Sequence, residues 1–383
     1  MLRQHLRTIA VSWRLFGPGK VFFGQLLAEP LMKLFNWTTL ELDPVLFPRI
    51  ASCRVERPLF IIGHPRSGTT FLHHLLTQAE GVAPFQAWHI FFPAITARKL
   101  VKPLIDLAIR RGKAEVMPEW TGHRMMLDQP EEEEMLFLQN DDTQFVAAGL
   151  LGFDDRDYPE LRFHDQQPRE HRLRSMRFLD GCFRRHLVYT GMTRIVAQTH
   201  FSTHRLQTIL EYYPDARFVY LVRNPLQVVP SFLSLLHKSM AFRWGADRLP
   251  PEVWSRYYLR RYQASIDLHR YFHDLWLTGA IPPGRVLIIR YDDLISDLTS
   301  IVTKIAAFAG LELTPALQAQ LADRAVNQGR YQRRHEVMPL EAFGLTEARI
   351  REDFAFVLRE FGWYQPDSDR NGGRQAYRER HGH

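Results

Sequence analysis

Short apolar runs alternate along this chain with longer stretches of helical periodicity. Four of the runs, Leu59 to Ile62, Arg194 to Ala197, Phe218 to Val222 and Val286 to Ile289, are bounded by turn residues and carry no polar alternation. Runs of that kind predict strands buried on both faces of a parallel sheet. Between them the spacing of apolar positions predicts helices over Phe71 to Gln78, Leu206 to Tyr213 and Trp254 to Leu277. The alternation predicts an α/β fold, a P-loop-like doubly wound parallel sheet flanked by helices. No internal repeat or linker divides the chain. The expected organisation is a helical N-terminal extension over 1–57, one domain over 58–365 with helical insertions near 90–190, and a loose Gly- and Arg-rich tail over 366–383.

No stretch reaches the roughly 18 uncharged apolar residues of a spanning helix. Val21 to Phe35 comes nearest and is interrupted by Gln25, Glu29, Pro30 and Lys33. The first residues place Arg3, Arg7, Arg14 and Lys20 among Leu2, Leu6, Ile9, Trp13 and Phe16, without the apolar centre or small-residue cleavage site of a cleavable signal. Two readings fit this segment: a helix packed on the domain, or a basic amphipathic helix in peripheral contact with a membrane. Of 383 residues, 45% are hydrophobic and 24% charged, which excludes a disordered or fibrous chain. Cys53 and Cys182 are the only cysteines, too few for a disulfide scaffold or thiolate zinc cluster, and a reducing, cytoplasmic setting is expected. The net charge of +7 favours an anionic ligand without naming it.

The first run supplies the name of the anion. Gly63-His-Pro-Arg-Ser-Gly68-Thr-Thr joins a strand to a helix, with the two glycines at the spacing of a P-loop. Such a loop aims backbone N–H groups at one point where the helix dipole also favours negative charge. Thr69 stands where nucleotide triphosphatases have Lys, and the cation lies inside the loop as Arg66. Asp292 and Asp293 are the only, weak, candidates for a magnesium-binding acid, so a phosphate site without a catalytic metal is expected. A second signal follows Phe218 to Val222: Arg223 at a strand end, Asn224 as cap, Pro225 at a helix start, and Ser231 further along. Arg223 and Ser231 can grip one anion from two sides.

Pro65-Arg-Ser-Gly-Thr-Thr after an apolar strand resembles the 5′-phosphosulfate loop of sulfotransferases that use 3′-phosphoadenosine-5′-phosphosulfate (PAPS), especially the bacterial branch and the protein-tyrosine sulfotransferases. The resemblance implies that Arg66, Ser67, Gly68, Thr69 and Thr70 bind the 5′-phosphate and sulfuryl group, and that Arg223 and Ser231 bind the 3′-phosphate. Gln227 departs from an Asp common in relatives. Arg290-Tyr-Asp-Asp-Leu resembles an architectural box of the family, and Gln328-Gly-Arg330 with Arg333 and Arg334 a loop that closes over the 3′-phosphate. The implied reaction moves sulfuryl from PAPS to a hydroxyl or phenol of a small or lipidic acceptor, without metal. Neither nucleic acid nor a particular oligomeric state is implied.

The base is not fixed by the resemblance. Where tyrosyl-protein relatives place a Glu, Ala83 to Ile90 holds only His89 as a titratable side chain. Pro130-Glu-Glu-Glu-Glu134 offers Glu133 or Glu132, unless the run is a water-facing first turn. Gln198 stands where relatives commonly carry Lys, leaving His200 or His204 as substitutes. The acceptor is expected between Trp88–Phe153 and Trp244–Tyr262, whose aromatics equally suit a core. Two rival functions remain: a P-loop kinase, disfavoured by the missing Lys, and a non-catalytic nucleotide-binding scaffold.

Overall fold

The computed structural model describes residues 2–327 and 336–364. In chain order the strands are β1 (Leu59–Gly63), β2 (Glu115–Met117), β3 (Met125–Met126), β4 (Val196–Gln198), β5 (Arg217–Val222) and β6 (Val286–Arg290). Four of them form a parallel sheet in the order β4-β1-β5-β6, and β2 and β3 pair as a small antiparallel ribbon. The register sets Leu59 beside Val196 on one side and beside Arg217 on the other. The second expected strand begins two residues later than its apolar run, at Val196, and Arg194 pairs instead with Val82 in an isolated bridge.

Both sheet faces are covered, which is why the strands read as unbroken apolar runs. Phe60, Phe218 and Tyr220 pack with Phe183, Leu206, Ile209 and Phe272 of helices on one face. Leu59, Ile61, Val219 and Leu221 pack with Leu72, Leu75, Val302 and Ile305 of helices on the other. The predicted helices form over Thr69–Leu76, Leu206–Tyr212 and Pro251–Leu277, each within a few residues of its pattern. Since β1 has β4 on one side and β5 on the other, the loops after β1 and β5 open side by side at the carboxyl end of the sheet. Ligands of open α/β sheets bind at such a switch point.

The N-terminal residues are helical over Leu2–Phe16, Lys20–Phe23 and Glu29–Leu46, with a π-turn at Gly24–Ala28. They are held to the sheet domain. Val11 is buried, Arg7 donates to both oxygens of Asp154 at 2.6 and 2.8 Å, and Arg14 pairs with Asp155. Arg7 and Arg14 of the first helix therefore face protein carboxylates. No helix among the described residues is long and apolar enough to cross a membrane.

Candidate active site

The loop between β1 and the Thr69–Leu76 helix is shaped by three left-handed residues. Gly63 (φ +124°) lies so close to β5 that a Cβ would stand 2.3 Å from the Leu221 carbonyl oxygen. Gly68 (φ +92°) lies under Tyr291, whose ring a Cβ would meet at 2.8 Å. Between them Arg66 also holds a left-handed φ, +77°, which turns successive amides toward one point. Ser67 Oγ is buried without a hydrogen-bond partner among the described residues, inside this cradle. An orphaned hydroxyl and a glycine pinned beneath an aromatic ring suit an anion held at the helix N-terminus. His64 fixes the loop from below: Nδ1 donates to the Pro65 carbonyl at 2.6 Å. Burial, then the nearby His269, keeps this imidazole neutral.

The two phosphate motifs meet. Arg66 Nε donates to Ser231 Oγ at 3.1 Å and Nη1 to the Gly122 carbonyl at 2.9 Å. Arg223 Nη1 donates to the Arg66 carbonyl at 3.1 Å, and its guanidinium lies 4.0 Å from the Tyr291 ring centroid. Gln227 Oε1 accepts from Arg223 Nε at 3.1 Å, so the departure from Asp keeps an acceptor that positions the guanidinium. Asn224 caps the Pro225–Trp244 helix by accepting from Leu226 N, which brings Ser231 back over the sheet end. The Arg290-Tyr-Asp-Asp-Leu box gains a physical role through Tyr291, which supports both Gly68 and Arg223. Asp292 accepts from Trp363 Nε1 at 2.8 Å and pairs with Arg290, so it is engaged in the fold.

The acidic run does not face water. All four glutamates are buried, each with its own partners. Glu131 meets His123 at 3.0 Å; Glu132 meets His200 Nε2 at 2.8 Å; Glu133 accepts from Gln198 N at 2.7 Å and lies 3.3 Å from His73. Glu134 accepts from Ser202 N, Ser202 Oγ and Thr143 Oγ1. The segment enters a 3-10 helix at Glu133, where three residues per turn send successive side chains about 120° apart. Glu131 and Glu132 precede that helix, Glu132 as its extended N-cap, and the four consecutive acids reach four places.

This divides the expected bases. Glu132 and His200 line the large cavity at the sheet end, together with Arg66, Thr69, Thr70 and Arg223. A carboxylate at Nε2 favours the proton there and leaves the Nδ1 lone pair toward Thr69 Oγ1, 3.4 Å away. Glu133 is turned away from this cavity into its contacts with His73 and β4. His89 is not brought to it either: its Nδ1 accepts from Gln86 N, closing a helix cap beside Trp88 and Tyr189. Burial, reinforced by Arg98, pushes its pKa down to about 2, so it holds no proton to exchange near neutrality. His204 is likewise lowered to about 3 by burial and Arg162. Arg330 lies outside the described residues, as do Gln328, Gly329, Arg333 and Arg334. The pairing of residue 132 with 200 has no signal in local spacing.

The cavity encloses about 1120 Å³. Beyond its polar end the walls are apolar: Phe91, Met117, Met125, Met135 and Phe145 from the expected insertion, and Phe232, Leu236 and Met240 from the Pro225–Trp244 helix. From the second expected stretch only Trp244 reaches it, while Trp254, Tyr257 and Tyr262 are core. The periodicity did not point to a further wall, formed by Ala28, Glu29, Met32 and Lys33 of the N-terminal helices.

His123 also lines the cavity. Burial opposes its charge, but the charge and hydrogen bond of Glu131 prevail and raise its pKa to about 8. A folded-state pKa above the usual 6.5 contributes stability that is complete below pH 6.5 and is lost as pH rises through 8. Urea unfolding is expected to show about 1–2 kcal/mol less stability at pH 9 than at pH 6 from this pair. His123→Gln should remove that part of the slope; an unchanged slope would reject the assignment.

Comparison with known proteins gives the family. Residues 58–315, more than half of the chain, match the model of the sulfotransferase family, and the chain belongs to that family. It is 25% identical over 281 residues to the omega-hydroxy-beta-dihydromenaquinone-9 sulfotransferase Stf3 of Mycobacterium bovis, covering 70% of this chain and 68% of that one. The Mycobacterium tuberculosis protein of the same name matches equally. Among solved structures, sulfotransferase STF9 from Mycobacterium avium aligns at TM-score 0.67 with 18% identity, over 88% of this chain and 85% of that one. STF1 from Mycobacterium tuberculosis aligns at 0.59 with 19% identity, over 92% of each. The protein is thus a sulfotransferase with the expected parallel sheet.

Proposed function

We propose that this sulfotransferase moves a sulfuryl group from PAPS to a hydroxyl of a lipidic acceptor, without metal and in the cytoplasm. The observation that carries the reading is the convergence of Arg66, Ser231 and Arg223, the two arginines lining a cavity whose walls are mostly apolar. The loop over 64–70 would hold the 5′-phosphosulfate, and Arg223 with Ser231 the 3′-phosphate. A cavity near the upper end of usual ligand pockets leaves room for a second, apolar substrate. The acceptor named for the mycobacterial Stf3 relatives, a dihydromenaquinone bearing an omega-hydroxyl, supports a long apolar alcohol here.

In the proposed step the acceptor oxygen attacks sulfur in line as the bond from sulfur to the 5′-phosphate oxygen breaks. His200, held by Glu132, takes the hydroxyl proton at Nδ1. Arg66 and the loop amides face the oxygen on which charge grows. Thr69 and Thr70 hydroxyls orient the transferred group, and Gln198 steadies Thr70 by donating to its Oγ1 at 3.1 Å.

Calorimetry with adenosine 3′,5′-bisphosphate, ADP and ATP, with and without magnesium, tests the donor. Tight, magnesium-independent preference for the bisphosphate is expected. Arg223→Ala should weaken that nucleotide by about 10–100-fold, the loss of one charge-assisted contact, and leave ADP little changed. Equal discrimination in variant and wild type would remove Arg223 from the 3′-phosphate site.

A further inference from the structure

The Glu29–Leu46 helix is amphipathic in the reverse sense. Its buried residues are polar, Asn36, Thr39 and Asp43. Their groups are consumed inside: Asn36 Nδ2 donates to the Phe91 carbonyl and to Gln139, and Asp43 accepts from the amides of Ile95 and Thr96 and from Arg185. Its outward face, continued from the preceding turn, carries Leu27, Leu31, Leu34, Trp37, Leu42 and Val45, between 45% and 79% exposed. Spacings of three to five residues keep most of them on one stripe. A helix bordering water has the opposite arrangement. The neighbouring Ile95–Arg110 helix, capped by Asp43, extends the patch with Leu100 and Leu104, 62% and 68% exposed. An apolar surface of this extent marks a contact with something other than water.

We infer that this face docks on an anionic lipid bilayer and that the acceptor enters the cavity from the membrane along the Glu29–Leu46 helix; the second half rests on the lipidic-acceptor reading above. Charge selects the occupant. Over residues 99–113 five cations, Lys99, Lys102, Arg110, Arg111 and Lys113, stand against the single acid Asp106. Lys99 is held over the Phe47 ring at 4.7 Å, tying this basic segment to the end of the apolar helix. Apolar residues that enter the headgroup boundary beside cations that meet its phosphates are the pattern of an interfacial helix. A second copy of the chain would repay the apolar stripe but would set these cations against one another. Continuity with the site completes the argument, since Met32 and Lys33 of the same helix line the cavity. The contact thus falls to this helix rather than to Leu2–Phe16, whose Arg7 and Arg14 are paired with Asp154 and Asp155.

The test is flotation of the full chain with vesicles of phosphatidylglycerol and phosphatidylethanolamine, against vesicles of phosphatidylcholine. Wild type is expected to float with the anionic vesicles and to be released by salt. The triple variant Leu31→Glu, Leu34→Glu, Trp37→Glu should bind them at least about tenfold more weakly. Its turnover on a polyprenyl alcohol embedded in those vesicles should fall in step, while turnover on a short soluble alcohol stays at the wild-type level, which also shows that it folds. Arg110→Glu with Arg111→Glu should abolish the preference for anionic lipid. Flotation retained by the triple variant would overturn the proposal. So would a wild-type dimer in light scattering that the variant dissociates, with no vesicle binding by either. Wild type that floats yet sulfates no alcohol would refute the functional reading and leave the docking surface standing; transfer to a soluble alcohol without flotation would do the reverse.

Discussion

Arg66→Ala is expected to lower kcat by about 10²–10³-fold while adenosine 3′,5′-bisphosphate affinity changes by much less. The magnitude is that of removing one preorganised donor from a developing negative charge. The expectation follows from where the side chain lies: its guanidinium spans from Ser231 to the Gly122 carbonyl, across the mouth of the anion loop. Arg66 is thus fixed before any ligand arrives and need not reorganise during the reaction. Arg66→Lys should recover only part of the loss, because a point charge replaces a planar fork held at two places. Single-turnover rates set beside calorimetric affinities separate the effects. If affinity falls as far as kcat does, Arg66 serves ground-state binding and not the transferring group.

His200→Ala carries the second large effect, a loss of about 10²–10⁴-fold in kcat for removal of a general base. The pH profile distinguishes this from simple damage. A base must be unprotonated to work, so wild-type rates should fall on the acid side, and that limb should vanish in His200→Ala. Glu132→Gln should cost about tenfold or more, since Gln can still meet Nε2 but no longer stabilises the imidazolium. Glu133→Gln supplies the contrast. It breaks a fully buried contact with His73 and β4, so it should reduce thermal stability without changing the shape of the pH profile. A variant of Glu133 that removes the acid limb while Glu132→Gln keeps it would reverse the assignment.

The anion loop and the Arg223–Ser231 turn were legible because each has a local pattern of glycines, cap residues and cations within about ten positions, whereas the support from Tyr291 was not. The parallel sheet was legible for a related reason, since strands covered on both faces must be apolar throughout. The base was not. His89 has the right residue type near the expected place, yet it folds into a helix cap next to Arg98, and burial there removes its basicity. Glu133 and Glu132 are adjacent, and the step from an extended cap residue to the first residue of the 3-10 helix turns them to different places. Their partners come from β4, from His200 just after it and from the Thr69–Leu76 helix, contacts of long sequence separation that no spacing encodes. The N-terminal wall was missed because Glu29–Leu46 hides polar residues and shows apolar ones, the inverse of the rule by which a surface helix is read.

Group transfer is read most plainly by following sulfur itself. Purified protein is incubated with PAPS labelled in the sulfuryl group and a polyprenyl alcohol, in buffer containing EDTA, and the product is resolved by mass spectrometry. A sulfate ester of the alcohol is expected, formed in step with adenosine 3′,5′-bisphosphate and strongly reduced in both Arg66→Ala and His200→Ala. Release of inorganic sulfate alone, or ester formation that both variants sustain at the wild-type rate, would contradict it.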